Sequence, residues 1–204
     1  MKQSSFLAWI TRMSLIQRWG LMHCFKPENV SEHSHQVAVI AHLLTVIKNK
    51  KFGGDLNPER AATLALYHEV SETKLQDINS VTKYHNPEFT REFKRLEALA
   101  EQECLNTLPE EFRDVFEGLV VQNKVNKAYR PIIKAADILS AYIKTNDELR
   151  FQNDEFRHVK ITFEEKLKKL KVDMPEVEYF LNVFTESCTA TLDKLTGMDG
   201  KELV

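Results

Sequence analysis

Two histidines and two carboxylates stand in positions where they could hold a divalent cation: His33, the adjacent pair His68-Glu69, and Asp137. The pair follows Leu64-Ala65-Leu66-Tyr67, and Asp137 follows Ile132-Ile133-Lys134-Ala135-Ala136. A carboxylate in such an apolar stretch is costly to bury alone, and the cost falls when it is paired or binds a cation. Imidazole with carboxylate suits a divalent transition metal: Co²⁺, Mn²⁺, Zn²⁺ or Fe²⁺. Such an ion lowers the pKa of a bound water and polarises a phosphoryl oxygen. Glu72 lies four residues after His68, a spacing that puts both on one helix face and makes Glu72 the candidate general acid/base. A solitary histidine on an apolar face is more often a satisfied core residue, so these residues alone leave a purely structural reading open.

Helices must position these groups. Apolar residues recur at threes and fours in residues 3–17 (Phe6, Ile10, Met13, Leu15) and 31–50 (Val37, Ile40, Ala41, Leu44, Ile47). Ser31 reads as the N-cap of the second, with His33 in its first turn. Asn57-Pro58 opens a helix running to about Thr73, and Asn86-Pro87 opens another. Residues 74–84 and 122–130 read as loops. Pro109 begins a short helix through Val121, and Pro131 begins the one carrying Asp137. Helices over 155–171 and 175–196 follow, with Gly197 as a C-terminal cap. The expectation is an all-α, single compact domain over 1–204 with about seven helices.

Bulk properties narrow the function. The 28 basic and 30 acidic residues give a net charge of −2, which lacks the footprint of a protein that binds nucleic-acid polymers. Six Gly and six Pro are few for a strand-rich fold with many turns. Cys24, Cys104 and Cys188 have no CxxC spacing and read as buried or partly buried thiols in a reducing compartment. Arg12 interrupts the apolar N-terminal stretch, and no apolar run approaches the roughly 20 residues of a membrane span. These features predict a soluble, cytoplasmic chain without a signal peptide. His35 and His42 read as partly exposed or core-edge residues, Lys83 as a solvated lysine that could alternatively approach phosphate from its loop, the run Glu164–Lys169 as a solvated face, and the Phe89, Phe93, Leu96 stripe as core or dimer surface.

The pattern of a histidine, a histidine-acid pair and a distant aspartate resembles the HD-domain phosphohydrolase superfamily. More closely, the chain resembles its bacterial, YfbR-like 5′-deoxynucleotidase branch along almost its whole length. The likeness is carried by Leu15–Met22, Glu28–Ala38, Ile47–Gly54, Leu66–Glu72 and Lys134–Asp137. It implies His33, His68, Glu69 and Asp137 as ligands of one divalent metal and Glu72 as the catalytic acid/base. It further implies Arg18 and Trp19 as substrate-binding residues, Arg18 on phosphate and Trp19 against the sugar 2′ position. Asp77 matches a substrate-contacting acid, Ser80 a small hydroxyl residue, and related enzymes are homodimers. Two features depart from the pattern. Glu69 replaces the aspartate of the His-Asp pair, and Gln76-Asp77-Ile78-Asn79-Ser80 replaces a Gly-Asp-Leu-Pro-Thr type loop. The resemblance implies a metal-dependent deoxynucleoside 5′-monophosphate hydrolase. The departures keep two alternatives open: a deoxynucleoside triphosphate hydrolase, and a catalytically weakened nucleotide-binding homologue.

Overall fold

A computed structural model of the chain describes residues 3–197. Among them the helices are α1 (Phe6–Ile10), α2 (Val30–Lys51), α3 (Pro58–Leu66), α4 (Glu72–Leu75), α5 (Ser80–Lys83) and α6 (Pro87–Asn106). They continue as α7 (Arg113–Val120), α8 (Arg130–Arg150), α9 (Phe156–Asp173), α10 (Pro175–Phe184) and α11 (Leu192–Thr196). Short 3₁₀ segments cover Thr11–Leu15, Glu110–Phe112, Gln122–Lys124 and Glu186–Thr189. The described residues are thus all helix and loop, apart from one isolated antiparallel bridge between Gln17 and Asn29.

The all-α expectation holds, but the helix number is eleven among the described residues rather than about seven. Most of the difference is subdivision. The first segment kinks from α-helix into 3₁₀ turns at Thr11, leaving Phe6 and Met13 buried and Leu15 exposed. The segment from Asn57 stops at Leu66 instead of Thr73. Within residues 74–84 stand the end of α4 and all of α5. The last segment breaks where Ala190 turns extended (ψ 153°) and Thr191 caps a new helix, which Gly197 ends at a left-handed φ of 69°.

Helix α2 is the central element, packed against α3, α8 and α10. Its stripe of Val37, Ala41 and Leu44 is fully buried, and removal of each large side chain of that kind from water is worth about 1.5–3 kcal/mol. Its N-cap is Asn29, not Ser31. The Asn29 side chain accepts from the Glu32 amide at 2.9 Å while Glu32 accepts from the Asn29 amide at 3.3 Å. This reciprocal box outcompetes a serine two residues on. The same cap starts the helix one turn before His33, whose amide donates to the Asn29 carbonyl at 3.0 Å.

Candidate metal and substrate site

Each functional side chain leaves its element at a well-defined point. His33 projects from the first turns of α2 and is fully buried. Its Nδ1 lies 3.3 Å from Ser140 Oγ on α8, and that hydroxyl donates to Gln36 Oε1 at 2.8 Å. With its proton committed to Gln36, Ser140 can only accept from His33, so Nδ1 carries the imidazole hydrogen and Nε2 keeps its lone pair. His68 reaches the same state differently. Its Nδ1 faces the Ala65 carbonyl at 2.7 Å, a pure acceptor, so its Nε2 is likewise bare.

His68 does not lie on a continuous helix with Glu72, contrary to the sequence reading. After Leu66 the amides of Tyr67, His68, Val70, Glu72 and Thr73 bond three residues back, at 3.0–3.4 Å. The Tyr67 carbonyl, which accepts from the Val70 amide, also accepts from Gln122 Nε2 at 3.3 Å. Such tight turns align residues three apart rather than four. Burial, aided by the charges of Glu69 and Asp77, pushes the Glu72 carboxyl up to about 10 against the opposing pull of Arg18 and Lys83.

Asp137 comes from the third turn of α8, where Lys134 grips its Oδ2 at 2.7 Å. Its Oδ1 lies 3.3 Å from His33 Nε2, and Glu69 Oε1 lies 3.3 Å from His68 Nε2. One donor atom from each of His33, His68, Glu69 and Asp137 falls within 4.8 Å of all the others. Neither histidine Nε2 makes a hydrogen bond of good geometry, although both are buried. Orphaned buried nitrogens are rare and costly, and here they aim at the point where two carboxylates converge. The donor set of two imidazole nitrogens and two carboxylate oxygens fits a divalent transition metal.

The electrostatics agree with a cation-ready site. Burial opposes charge on Glu69, but the neighbouring His68 imidazole outweighs it and holds the carboxyl down at about 2. Burial lowers the His68 pKa, and the negative charge of Glu69 beside it more than reverses this. Burial, Arg18 and His68 together keep His33 below its ordinary value, the state a ligand requires. Burial also works against charge on Asp137, which His33 and Lys134 nonetheless hold well below the usual carboxylate range.

Arg18 and Trp19 approach from the segment before α2. The Arg18 amide donates to the Glu28 carbonyl at 2.9 Å, beside the Gln17–Asn29 bridge. The Arg18 guanidinium, almost buried, stands among Glu69, Glu28, Asp77 and Asp137, whose attraction outweighs desolvation and raises its pKa. The Trp19 indole packs on Phe156 and Phe163 of α9, with centroids 5.3 and 6.4 Å away. Asp77 lies close enough to Arg18 and Glu72 to perturb both. Ser80 is exposed at the start of α5, and its hydroxyl has no hydrogen bond among the described residues.

Gln122, Arg130 and Lys134 escaped the sequence reading. A cleft of about 300 Å³ is lined by His68, Glu69 and Asp137 together with Lys83, Gln122, Arg130 and Lys134. Lys83 is half-buried and paired with Glu97 at 2.5 Å, not a freely solvated lysine. The i−3 spacing of Lys134 from Asp137 is a signal that could have found it, whereas Lys83 reaches the cleft only through folding. His35 is exposed and His42 intermediate, as read. Phe93 is buried, while Phe89 and Leu96 stay largely exposed. Cys24, Cys104 and Cys188 are all free, but Cys188 is exposed rather than buried, because it lies on the 3₁₀ segment that interrupts the last predicted helix.

The helical frame with this histidine–acid cluster defines the fold of HD-domain phosphohydrolases. An HD-domain phosphohydrolase from Listeria innocua superposes with a TM-score of 0.79 at 20% identity, over 95% of this chain and 96% of that one. A cyanophage S-2L HD phosphohydrolase, bound to dA and one catalytic Zn²⁺ ion, superposes with a TM-score of 0.64 at 18% identity, over 93% and 97%. Residues 5–188 match the 5′-deoxynucleotidase YfbR-like family, and the chain belongs to that family. It is 47% identical to a 5′-deoxynucleotidase of Vibrio atlanticus over 196 residues, covering 96% of this chain and 100% of the relative. It is 44% identical to 5′-deoxynucleotidase YfbR of Salmonella typhi, covering 96% and 98%.

Proposed function

We propose that the chain hydrolyses deoxynucleoside 5′-monophosphates to the deoxynucleoside and inorganic phosphate. The observation that carries this reading is the convergence of two bare imidazole nitrogens and two carboxylates beside Glu72 and Arg18, in a member of a 5′-deoxynucleotidase family. His33, His68, Glu69 and Asp137 would hold one divalent transition metal: Co²⁺, Mn²⁺, Zn²⁺ or Fe²⁺. When bound, such an ion supplies Lewis acidity to the phosphoryl group and acidity to a coordinated water. Glu72, whose carboxyl is pushed up to about 10 chiefly by burial, would hand a proton to the departing 5′-oxygen of the nucleoside. The two terminal nitrogens of Arg18 make no hydrogen bond among the described residues and suit phosphoryl oxygens. Trp19 would lie against the sugar 2′ position, with Asp77 and Ser80 contacting substrate from the following loop. The chain would work as one domain over 1–204, as a cytoplasmic homodimer, without nucleic-acid or membrane partners; no described helix is long and apolar enough to cross a membrane.

A second reading, hydrolysis of deoxynucleoside triphosphates, is favoured by one observation. Lys83, Arg130 and Lys134 add cationic charge to the cleft beside the cluster, where further phosphates could lie. The deciding experiment is phosphate release with product identification from deoxy- and ribonucleotide mono- and triphosphates. It is run with EDTA and with Co²⁺, Mn²⁺, Mg²⁺ or Zn²⁺ restored. Metal-dependent orthophosphate from dNMPs is the expected outcome. Release of pyrophosphate or triphosphate from dNTPs would select the second reading. Turnover by Glu69→Asp with none by the natural sequence would reduce the chain to a nucleotide-binding homologue.

A further inference from the structure

Glu28 has no part in the reaction set out above, yet its side chain bonds to both members of the Arg18-Trp19 pair. A single oxygen, Oε2, accepts from Arg18 Nε at 3.1 Å and from Trp19 Nε1 at 2.7 Å. The side chain is 11% exposed, so both bonds are largely shielded from water. The Glu28 carbonyl holds the Arg18 amide as well, so backbone and side chain grip the same segment. Trp19 needs such support, because its φ of 61° is a costly conformation for a bulky residue. The contacts with Phe156 and Phe163 hold the indole by apolar attraction, which has little directionality. The N–H to carboxylate bond is directional and charge-assisted, and it sets how the ring is turned. Because Glu28 engages Arg18 only through Nε, it fixes the guanidinium plane while leaving the terminal nitrogens to the phosphoryl group.

We propose that Glu28 is a specificity-determining positioning residue: one carboxylate oxygen locks the Trp19 ring face to the phosphate-binding end of Arg18, and selection of deoxyribose over ribose depends on that lock. This inference rests on the reading of Trp19 and Arg18 given under the proposed function. It requires no contact between Glu28 and the substrate. Its signature is therefore a change in sugar discrimination that passes through Trp19.

The test measures dissociation constants of dAMP and AMP by calorimetry in the Mn²⁺-loaded chain carrying Glu72→Gln, so that turnover does not interfere. In that background we compare Glu28→Gln, Trp19→Phe, Trp19→Ala and the Glu28→Gln/Trp19→Ala double variant. Expected is a loss of about tenfold in the AMP/dAMP ratio with Trp19→Ala and a comparable loss with Glu28→Gln, roughly one charged hydrogen bond. The double variant should match Trp19→Ala alone. Trp19→Phe, which removes the N–H and keeps a ring, should behave like Glu28→Gln. An unchanged ratio in folded Glu28→Gln, with Trp19→Ala altered, overturns the inference and leaves the reading of Trp19 standing. So does a double variant whose effects add. If Trp19→Ala itself leaves the ratio unchanged, the reading of Trp19 fails and the role of Glu28 falls with it. Should Glu28→Gln not fold, Trp19→Phe decides the matter: an unchanged ratio refutes the lock.

Discussion

At the scale of single residues, Glu72 and Glu69 have opposite fates within one turn. Beside His68 the Glu69 carboxyl is held down at about 2, whereas burial and the charges of Glu69 and Asp77 push Glu72 up to about 10. Two acids separated in this way can serve different roles, one as ligand and one as proton carrier. Glu72→Gln preserves size and removes the transferable proton. It should lower kcat by about 10²–10⁴-fold while leaving Mn²⁺ affinity within a few-fold, measured by steady-state kinetics and metal titration. Loss of metal binding in that variant would instead make Glu72 a ligand. The four donor residues and Glu72 were all legible as residue types with suggestive spacing. The tautomers that bare both Nε2 atoms were not, because they are set by Ser140 and the Ala65 carbonyl, and Ser140 lies 107 residues from His33.

At the scale of elements, two segments deserve quantitative tests. Gln76 ends α4 with φ 64° and ψ 170°, a backbone shape that only glycine adopts without strain. Gln76 stands where the resembled loop carries glycine, and the fold keeps the glycine-like conformation regardless. Gln76→Gly should raise stability by about 1 kcal/mol, the strain relieved less the added chain entropy. Thermal unfolding would register this as a rise of a few degrees, and a fall would show that the Gln76 side chain compensates. The second segment is residues 23–26, tied to α8 by buried Glu148. Glu148 accepts from the Phe25 and Lys26 amides at 2.7 and 3.1 Å and from Asn153 at 2.9 Å, and it pairs with Lys144. Burial alone would raise its pKa, but these bonds hold it down at about 2, against an ordinary 4.5. A depressed acid contributes stability above its unfolded value and loses it as pH falls through the folded one. That contribution, about 3 kcal/mol, should fade between about pH 4.5 and about pH 2. Glu148→Gln should therefore unfold at lower denaturant near neutrality, with a shallower loss of stability over that acid range.

At the scale of the whole molecule, the histidine–carboxylate cluster joins α2, the turn after α3 and α8, three stretches far apart in the chain. A cation bound there would cross-link the core and relieve two orphaned nitrogens. Ligand binding to the native state alone stabilises by about 2.7 kcal/mol at a hundredfold excess over Kd. For a chain of 204 residues this corresponds to a rise in Tm of about 5–10 °C with Mn²⁺, Co²⁺ or Zn²⁺, reversed by EDTA. Scanning calorimetry would measure it, and a Tm indifferent to metal and chelator would argue that the cluster is a structural ion-pair network.

The sequence by itself determined the class of fold and the chemical inventory. Helical periodicity, few Gly and Pro, and caps such as Asn57-Pro58 and Asn86-Pro87 are local signals, and local signals survive in one dimension. The same holds for the histidine–acid pattern, whose family likeness needs no coordinates. Tertiary structure alone decided where helices stop and which groups meet. At the break after Leu66 the Tyr67 carbonyl accepts from the Val70 amide and also from Gln122, a residue 55 positions away. The half-burial of Lys83 and the protonation of Glu72 likewise follow from neighbours brought in by other elements. Such outcomes depend on burial and on charges remote in sequence, which spacing along the chain does not encode.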